Sequence, residues 1–322
     1  MTVDDARTPR GSAAPARETP APVEPTQAPA SRIVVVTDST ASLPPEVAAA
    51  AGVVVVPLQV VIGAECVDEG EPGATPEALA AALREFRPVS TSRPAPARIA
   101  EVYRGLAAAG ATEVVSVHLS GRMSGTVESA QLAARQVEVP VTCVDSLQVG
   151  VATGFAALSA AEVVRAGGTA AEAAAAARAR AAASSSFFYV DTLEYLRRGG
   201  RVSSAAAFLG GALAVKPLLT LTDGAVVPLE RVRTSGRALA RMADLAVEAA
   251  GERPLDVCVA HLASADRAAQ LAGQLGERLA AQLEGREVWC REVGAVLGAH
   301  VGPGAIAVCV APRSVSSWPA SS

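Results

Sequence analysis

The sequence predicts an α/β fold in two domains, the first a parallel sheet with helices on both faces and the second a mixed sheet with helices. Three observations predict it. Short β-branched runs alternate with Ala-rich amphipathic stretches between residues 33 and 165, the order that lays parallel strands side by side through crossover helices. Further along, residues 218–221 and 226–232 flank Asp223-Gly224, a hairpin signal that brings antiparallel pairing into the second sheet. A length of 322 residues, 50% of them hydrophobic, supplies a core for each of two domains. The expected domains are residues 32–183 and 184–312, between tails at 1–31 and 313–322. The first tail is dense in Pro, Ala, Thr and charge and has no apolar signal-peptide stretch, so disorder is expected there.

In order, residues 33–37 read as a strand followed by Asp38-Ser39-Thr40, and Pro44-Pro45 opens a short helix. Residues 53–62 read as one further strand, 65–71 as an acidic loop, and 76–86 as a helix. Thr91-Ser92-Arg93-Pro94 falls in the connection before a helix at 96–109. The strand at 113–119 runs through a loop of small and hydroxylated residues into a helix at 127–136. The strand at 139–144 ends in Asp145-Ser146, and helical stretches follow at 147–165 and 170–183. The second half opens with a strand at 187–190 and a short amphipathic helix stopped by Gly199-Gly200, with Arg201 on the turn. An apolar run at 205–215 leads to Lys216, the only lysine, and to the hairpin, beyond which Arg233 lies. Helices at 235–250 and 264–283 then alternate with strands at 255–262 and 287–293. A Gly-rich loop around His300 precedes the last strand.

Composition excludes several classes of function. A net charge of -4 without a basic run argues against nucleic acid. Five scattered cysteines, none in a Cys-x-x-Cys pair, read as reduced thiols and give no metal site. No uninterrupted apolar stretch is long enough to span a membrane. A cytoplasmic location is expected, with no cofactor.

In an open parallel sheet the loops after successive strands share one edge, where helix N-termini present free N–H groups to ligands. Asp38-Ser39-Thr40, the loop at 120–126 and Asp145-Ser146 therefore converge. Ser39 and Ser146 are equally well read as helix N-caps, whereas Ser124-Gly125-Thr126 holds more hydroxyls than one cap requires. His118 and His261 end apolar strands and read as structural. His300 lies among Gly298, Gly302, Pro303 and Gly304, a setting in which backbone closely approaches something.

Taken together these motifs resemble the DegV family of bacterial fatty-acid-binding proteins. The resemblance covers about residues 32–312. It is carried by Val36-Thr37-Asp38-Ser39-Thr40, Thr91-Ser92-x-Pro94, Ser124-Gly125-Thr126, Val144-Asp145-Ser146, Leu193-Glu194-Tyr195-Leu196 with Gly199-Gly200-Arg201, Lys216-Pro217, Arg233, and the loop from His300 to Gly304. It implies a long-chain fatty acid held between the two domains, with its carboxylate at Thr91, Ser92, Ser124, Gly125, Arg201 and His300. It also implies a separate ATP-dependent kinase subunit that converts the bound acid to acyl phosphate, with Arg233 facing that partner. On this reading the chain has no catalytic residue of its own. Two positions depart from the family pattern: Arg93 and Ala95 stand where Gln and Ser are usual. The alternative is an acyl hydrolase with Ser124 as nucleophile and His300 as base. Against it, Gly-Arg-Met-Ser-Gly is not the Gly-x-Ser-x-Gly elbow, and no third group is evident to orient the histidine.

Overall fold

The computed structural model describes Thr2, residues 32–202 and residues 216–313. The two expected tails, Thr2 and Arg313 apart, and the apolar run at 205–215 lie outside the described residues. The chain enters through β1 (Ile33–Asp38), a 3-10 turn and α1 (Pro45–Ala51), then β2 (Val53–Val56). The strand expected over residues 53–62 is in fact two. Pro57 has no N–H to continue a ladder, and the chain turns there into a second sheet built from β3 (Gln59–Ile62), β4 (Glu65–Asp68) and β5 (Val89–Ser92). This antiparallel sheet, in the order β4-β3-β5, corrects two expectations. The acidic stretch contains β4, and Thr91 and Ser92 lie on β5 opposite Val60 and Gln59, not in a loop. Between β4 and β5 runs α2 (Pro76–Arg84), capped by Thr75, whose hydroxyl accepts from the Ala78 N–H.

After α3 (Pro96–Ala108) come β6 (Glu113–His118), α4 (Thr126–Ala134) and β7 (Val141–Asp145). The four-stranded sheet has the order β2-β1-β6-β7 with every pair parallel. Val35 and Val36 turn to opposite faces, as period-2 geometry requires. Val35 packs on α5 (Val151–Arg165) and α6 (Ala170–Ala183), and Val36 packs with Ile99, Tyr103 and Ala130 of α3 and α4. Helices thus cover both faces. The start of α5 is later than expected because Gly150, at φ 66, breaks the helical path. Ala-rich α6 is held at its N-terminus by a reciprocal cap between Thr169 and Glu172.

The second half contributes β8 (Ser185–Tyr189), α7 (Glu194–Arg198), β9 (Lys216–Thr222), β10 (Ala225–Val232), α8 (Ser235–Ala250), β11 (Leu255–His261), α9 (Ala265–Arg278), α10 (Ala280–Leu283), β12 (Trp289–Glu292), α11 (Ala295–Val301) and β13 (Ile306–Pro312). Its six strands run β10-β9-β8-β13-β11-β12. Only β11 and β12 pair in parallel, so the sheet is mixed, as the hairpin signal predicts. The hairpin itself is β9-β10, with a register shift beside Leu229. One face buries Tyr189, Leu218, Val257 and Val308 against Met242 of α8 and Leu271 and Leu275 of α9. Full burial of such side chains stabilises by roughly 1.5–3 kcal/mol each, gross. The opposite face carries Phe188, Cys258 and Cys309 and packs toward α5 and α7. A third cluster joins Leu58, Val60 and Ile62 to Leu262, Val293 and Val296, which brings α11 onto the small antiparallel sheet.

Candidate functional site

A cavity of about 400 Å³ lies where all three sheets meet. The parallel sheet delivers its strand-end loops, among them Thr40, Leu119, Met123, Ser124 and Gly125. The small sheet delivers Leu58, Thr91, Ser92 and Arg93. The mixed sheet delivers Phe188, Leu221, Ala260, Ile306 and Val308, and α11 delivers Val296, Leu297, His300 and Val301. The convergence expected of the strand-end loops holds for two of the three: Asp145 and Ser146 do not line the cavity. Asp145 instead accepts from the Gly121 and Leu147 N–H groups, and Ser146 from Gln148, so both hold loop shape.

The six residues singled out from the sequence, Thr91, Ser92, Ser124, Gly125, Arg201 and His300, all line this cavity. Thr91 Oγ1 is 2.8 Å from His300 Nε2, a contact across 209 residues of sequence. Arg201 Nε donates to the Met123 carbonyl at 3.0 Å, and its terminal nitrogen donates to the Gly199 carbonyl. Arg93 NH1 donates to Glu128 Oε2 at 2.6 Å and reaches the Gly125 carbonyl at 3.5 Å. Two guanidiniums therefore hold the carbonyls on either side of Ser124. The Ser124 hydroxyl itself pairs with Thr126 Oγ1 at 2.8 Å, and Ser92 donates to the Arg93 carbonyl.

His300 differs from expectation in its element. It stands in the last turn of α11, and the glycine loop begins only at Gly302, whose φ of 72 ends the helix. The close approach inferred for this loop is real. A Cβ at Gly302 would lie 2.1 Å from the Tyr195 ring, and one at Gly199 would lie 2.3 Å from His300 Nδ1. Of the glycine pair, only Gly200 takes the left-handed conformation, at φ 69; Gly199 is small because the imidazole rests on it. Among the described residues His300 Nδ1 is buried without a hydrogen-bond partner. A bare lone pair costs less to bury there than an N–H, so the proton belongs on Nε2 and is donated to Thr91. The Thr91 hydroxyl is then free to donate its own proton into the cavity. Burial, and secondarily the charge of Arg201, lowers the His300 pKa to about 4, so the ring is neutral at pH 7.

Glu69, at the end of β4, anchors the helix that carries this histidine. Its Oε1 accepts from the Val296 N–H at 2.7 Å, in the first turn of α11, where helix N–H groups lack internal partners. Burial raises its pKa. Sequence reading missed Glu69, because a lone acidic residue in an acidic stretch carries no local signal. It also missed that His261 lines the cavity, with its pKa lowered by burial. His118 lies outside the cavity lining, wholly buried: Nδ1 is 2.9 Å from Asp38 Oδ2 and Nε2 is 2.8 Å from Ser116 Oγ, which accepts from the Tyr103 hydroxyl. Arg233 is exposed just past β10 and does not line the cavity. Among the described residues no group of three His, Cys, Asp or Glu side chains could hold a metal, and no helix is long and apolar enough to cross a membrane.

Residues 32–313 match the DegV family model, described as an uncharacterised protein family. A DegV domain-containing protein of Streptomyces coelicolor is 50% identical over 281 residues, covering 87% of this chain and 99% of that protein. Among solved structures, a fatty-acid-binding DegV family protein from Thermus thermophilus superposes with a TM-score of 0.80 at 33% identity, over 88% of this chain and 100% of its own. DegV of Bacillus subtilis, a fatty acid binding protein, does so with a TM-score of 0.79 at 32% identity, over the same shares. With a family match spanning nearly all the described residues and relatives alike along their whole length, the chain belongs to the DegV family.

Proposed function

We propose that this protein binds a long-chain fatty acid between domains 32–183 and 184–312 and presents its carboxylate to a separate ATP-dependent kinase subunit. The observation that carries the reading is one cavity that joins the guanidiniums of Arg93 and Arg201, a neutral imidazole and the hydroxyls of Thr91, Ser92 and Ser124 to an aliphatic wall. A carboxylate withdrawn from water needs such donors, or it neutralises instead. Arg201 supplies the charge, Thr91 the hydroxyl proton that His300 sets free, and Ser124 with the Gly125 backbone the remaining contacts. Each hydrogen bond to a charged group contributes roughly 1.5–3 kcal/mol. The hydrocarbon contributes more: some 14 methylenes at about 0.8 kcal/mol each give roughly 11 kcal/mol gross, offset by the costs of association and ordering. Chain length should therefore govern affinity.

The kinase step moves the γ-phosphoryl group of ATP onto a carboxylate oxygen, with ADP leaving. This sequence has no Gly-x-x-x-x-Gly-Lys-Ser/Thr loop to hold a nucleotide, in keeping with a second protein doing that work. Arg233, exposed beyond the hairpin, is the residue proposed to face it. The hydrolase alternative fares worse against the geometry. The hydroxyl of Ser124 pairs with Thr126, the imidazole of His300 pairs with Thr91, and a ring titrating near 4 is a weak base at neutral pH. Denaturing extraction of the purified protein followed by mass spectrometry tests the binding reading. Co-purifying or added long-chain acid should be found at one per chain. Protein that arrives empty and takes up no palmitate would overturn it, and esterase activity lost on Ser124→Ala would favour the hydrolase.

A further inference from the structure

Arg93 and Arg201 line the same cavity, and their guanidiniums hold the Gly125 and Met123 carbonyls respectively, one residue to each side of Ser124. A single carboxylate needs one such charge. Resting on the fatty-acid reading, we infer that Arg93 makes this headgroup site selective for an acyl chain ending in a phosphate-type dianion, with Glu128 as the competitor that holds the guanidinium until such a headgroup arrives.

The argument is one of exchangeable partners. Arg93 and Glu128 are 50% and 66% exposed, and an ion pair in that setting alters an equilibrium by less than about five-fold. A charge-assisted hydrogen bond to a ligand oxygen in a partly dry cavity is worth on the order of ten-fold or more. Against a carboxylate already matched by Arg201, Arg93 gains little by leaving Glu128. Against a second negative charge, the exchange is favourable. Glu128 can give way because its side chain reaches into solvent from the first turn of α4. The same first turn has no side-chain cap, so its free N–H groups and the helix dipole favour an anion beside Gly125. The chemistry fits the product of carboxylate phosphorylation and equally a single-chain lipid whose phosphate monoester is attached directly to the end of the hydrocarbon chain.

The test compares palmitate, hexadecyl phosphate and 1-palmitoyl-glycerol 3-phosphate, titrated at pH 8, where a phosphate monoester carries close to two charges. The proteins are the full chain and its R93Q and E128Q variants. The quantity read is the affinity for hexadecyl phosphate relative to palmitate. R93Q should lower that ratio about ten-fold, and E128Q, which frees the guanidinium, should raise it. A pair that merely braces β5 against α4 would move the ratio the same way in both variants, or not at all, and that result overturns the inference while palmitate binding keeps the fatty-acid reading standing. Failure of all three proteins to bind palmitate would remove the fatty-acid reading and this inference with it. If the glycerol-spaced phosphate binds as tightly as hexadecyl phosphate and loses as much in R93Q, the phosphate does not sit at the chain's end, and the assignment fails.

Discussion

His118 and His300 each close an element beside the same cavity, yet they are wired in opposite ways. His118 ends β6 with both ring nitrogens engaged, one by the Asp38 carboxylate and one by Ser116, and no part of its side chain reaches solvent. His300, in the last turn of α11, has one nitrogen on Thr91 and the other without a partner among the described residues, and its charged neighbour is Arg201. The anion that completes the first cluster belongs to the protein. In the second the charged neighbour among the described residues is a cation, and the matching anion is the one proposed to arrive with the ligand. A saturated polar network fixes strands, and an unsaturated one at a cavity wall awaits a substrate.

Breaking the closed cluster should have the largest effect. His118→Ala leaves Asp38 buried and short of its imidazole, and unfolding free energy should fall by about 3–5 kcal/mol, read by urea denaturation. A loss below about 1 kcal/mol, as small as an ordinary surface change, would show that Asp38 is satisfied by its other donors, the Thr40 and Leu119 N–H groups. Next in size, Arg201→Ala removes the charge proposed to meet the carboxylate. Palmitate affinity should drop about ten- to hundred-fold by titration calorimetry, with a far smaller change in the unliganded unfolding midpoint than His118→Ala produces. Equal losses of stability in both variants would erase the contrast.

The pH dependence sharpens it further. The folded-state pKa of His300 lies near 4 against an ordinary 6.5, so between those values the unfolded chain binds more protons. Acid therefore favours unfolding: the contribution of His300 is complete above about pH 6.5 and is lost as pH falls toward 4. Thermal melts of unliganded protein across this window should show the slope, and His300→Gln should flatten it. Bound fatty acid should also flatten it, because a carboxylate beside the ring raises its pKa again. The smallest effect on affinity belongs to Arg233→Ala, outside both clusters. Palmitate binding should change by less than about two-fold, as a solvated charge implies, while acyl-phosphate formation with the proposed kinase subunit should slow through weaker encounter and alignment. An unaltered coupled rate would return Arg233 to a plain surface role.

Local patterns in the sequence were enough to specify the alternating strands and helices of the parallel sheet, the hairpin of β9 and β10, and the N-terminus of α6 through Thr169 and Glu172, because each depends on residues a few positions apart. The resemblance of ordered motifs singled out Thr91, Ser92, Ser124, Gly125, Arg201 and His300, which line one cavity. What the sequence did not reveal is the small sheet of β3, β4 and β5, whose four-residue strands alternate too briefly to stand out from loops. Tertiary structure also decided two contacts beside the cavity. Thr91 meets His300 only because β5 pairs with β3 while α11 packs on that sheet through Val296, in one cluster with Val60 and Ile62. Glu69 becomes a helix anchor only when the far half of the chain arrives above it. Periodicity records the face a residue turns toward, and it carries no information about which distant face will be pressed against it.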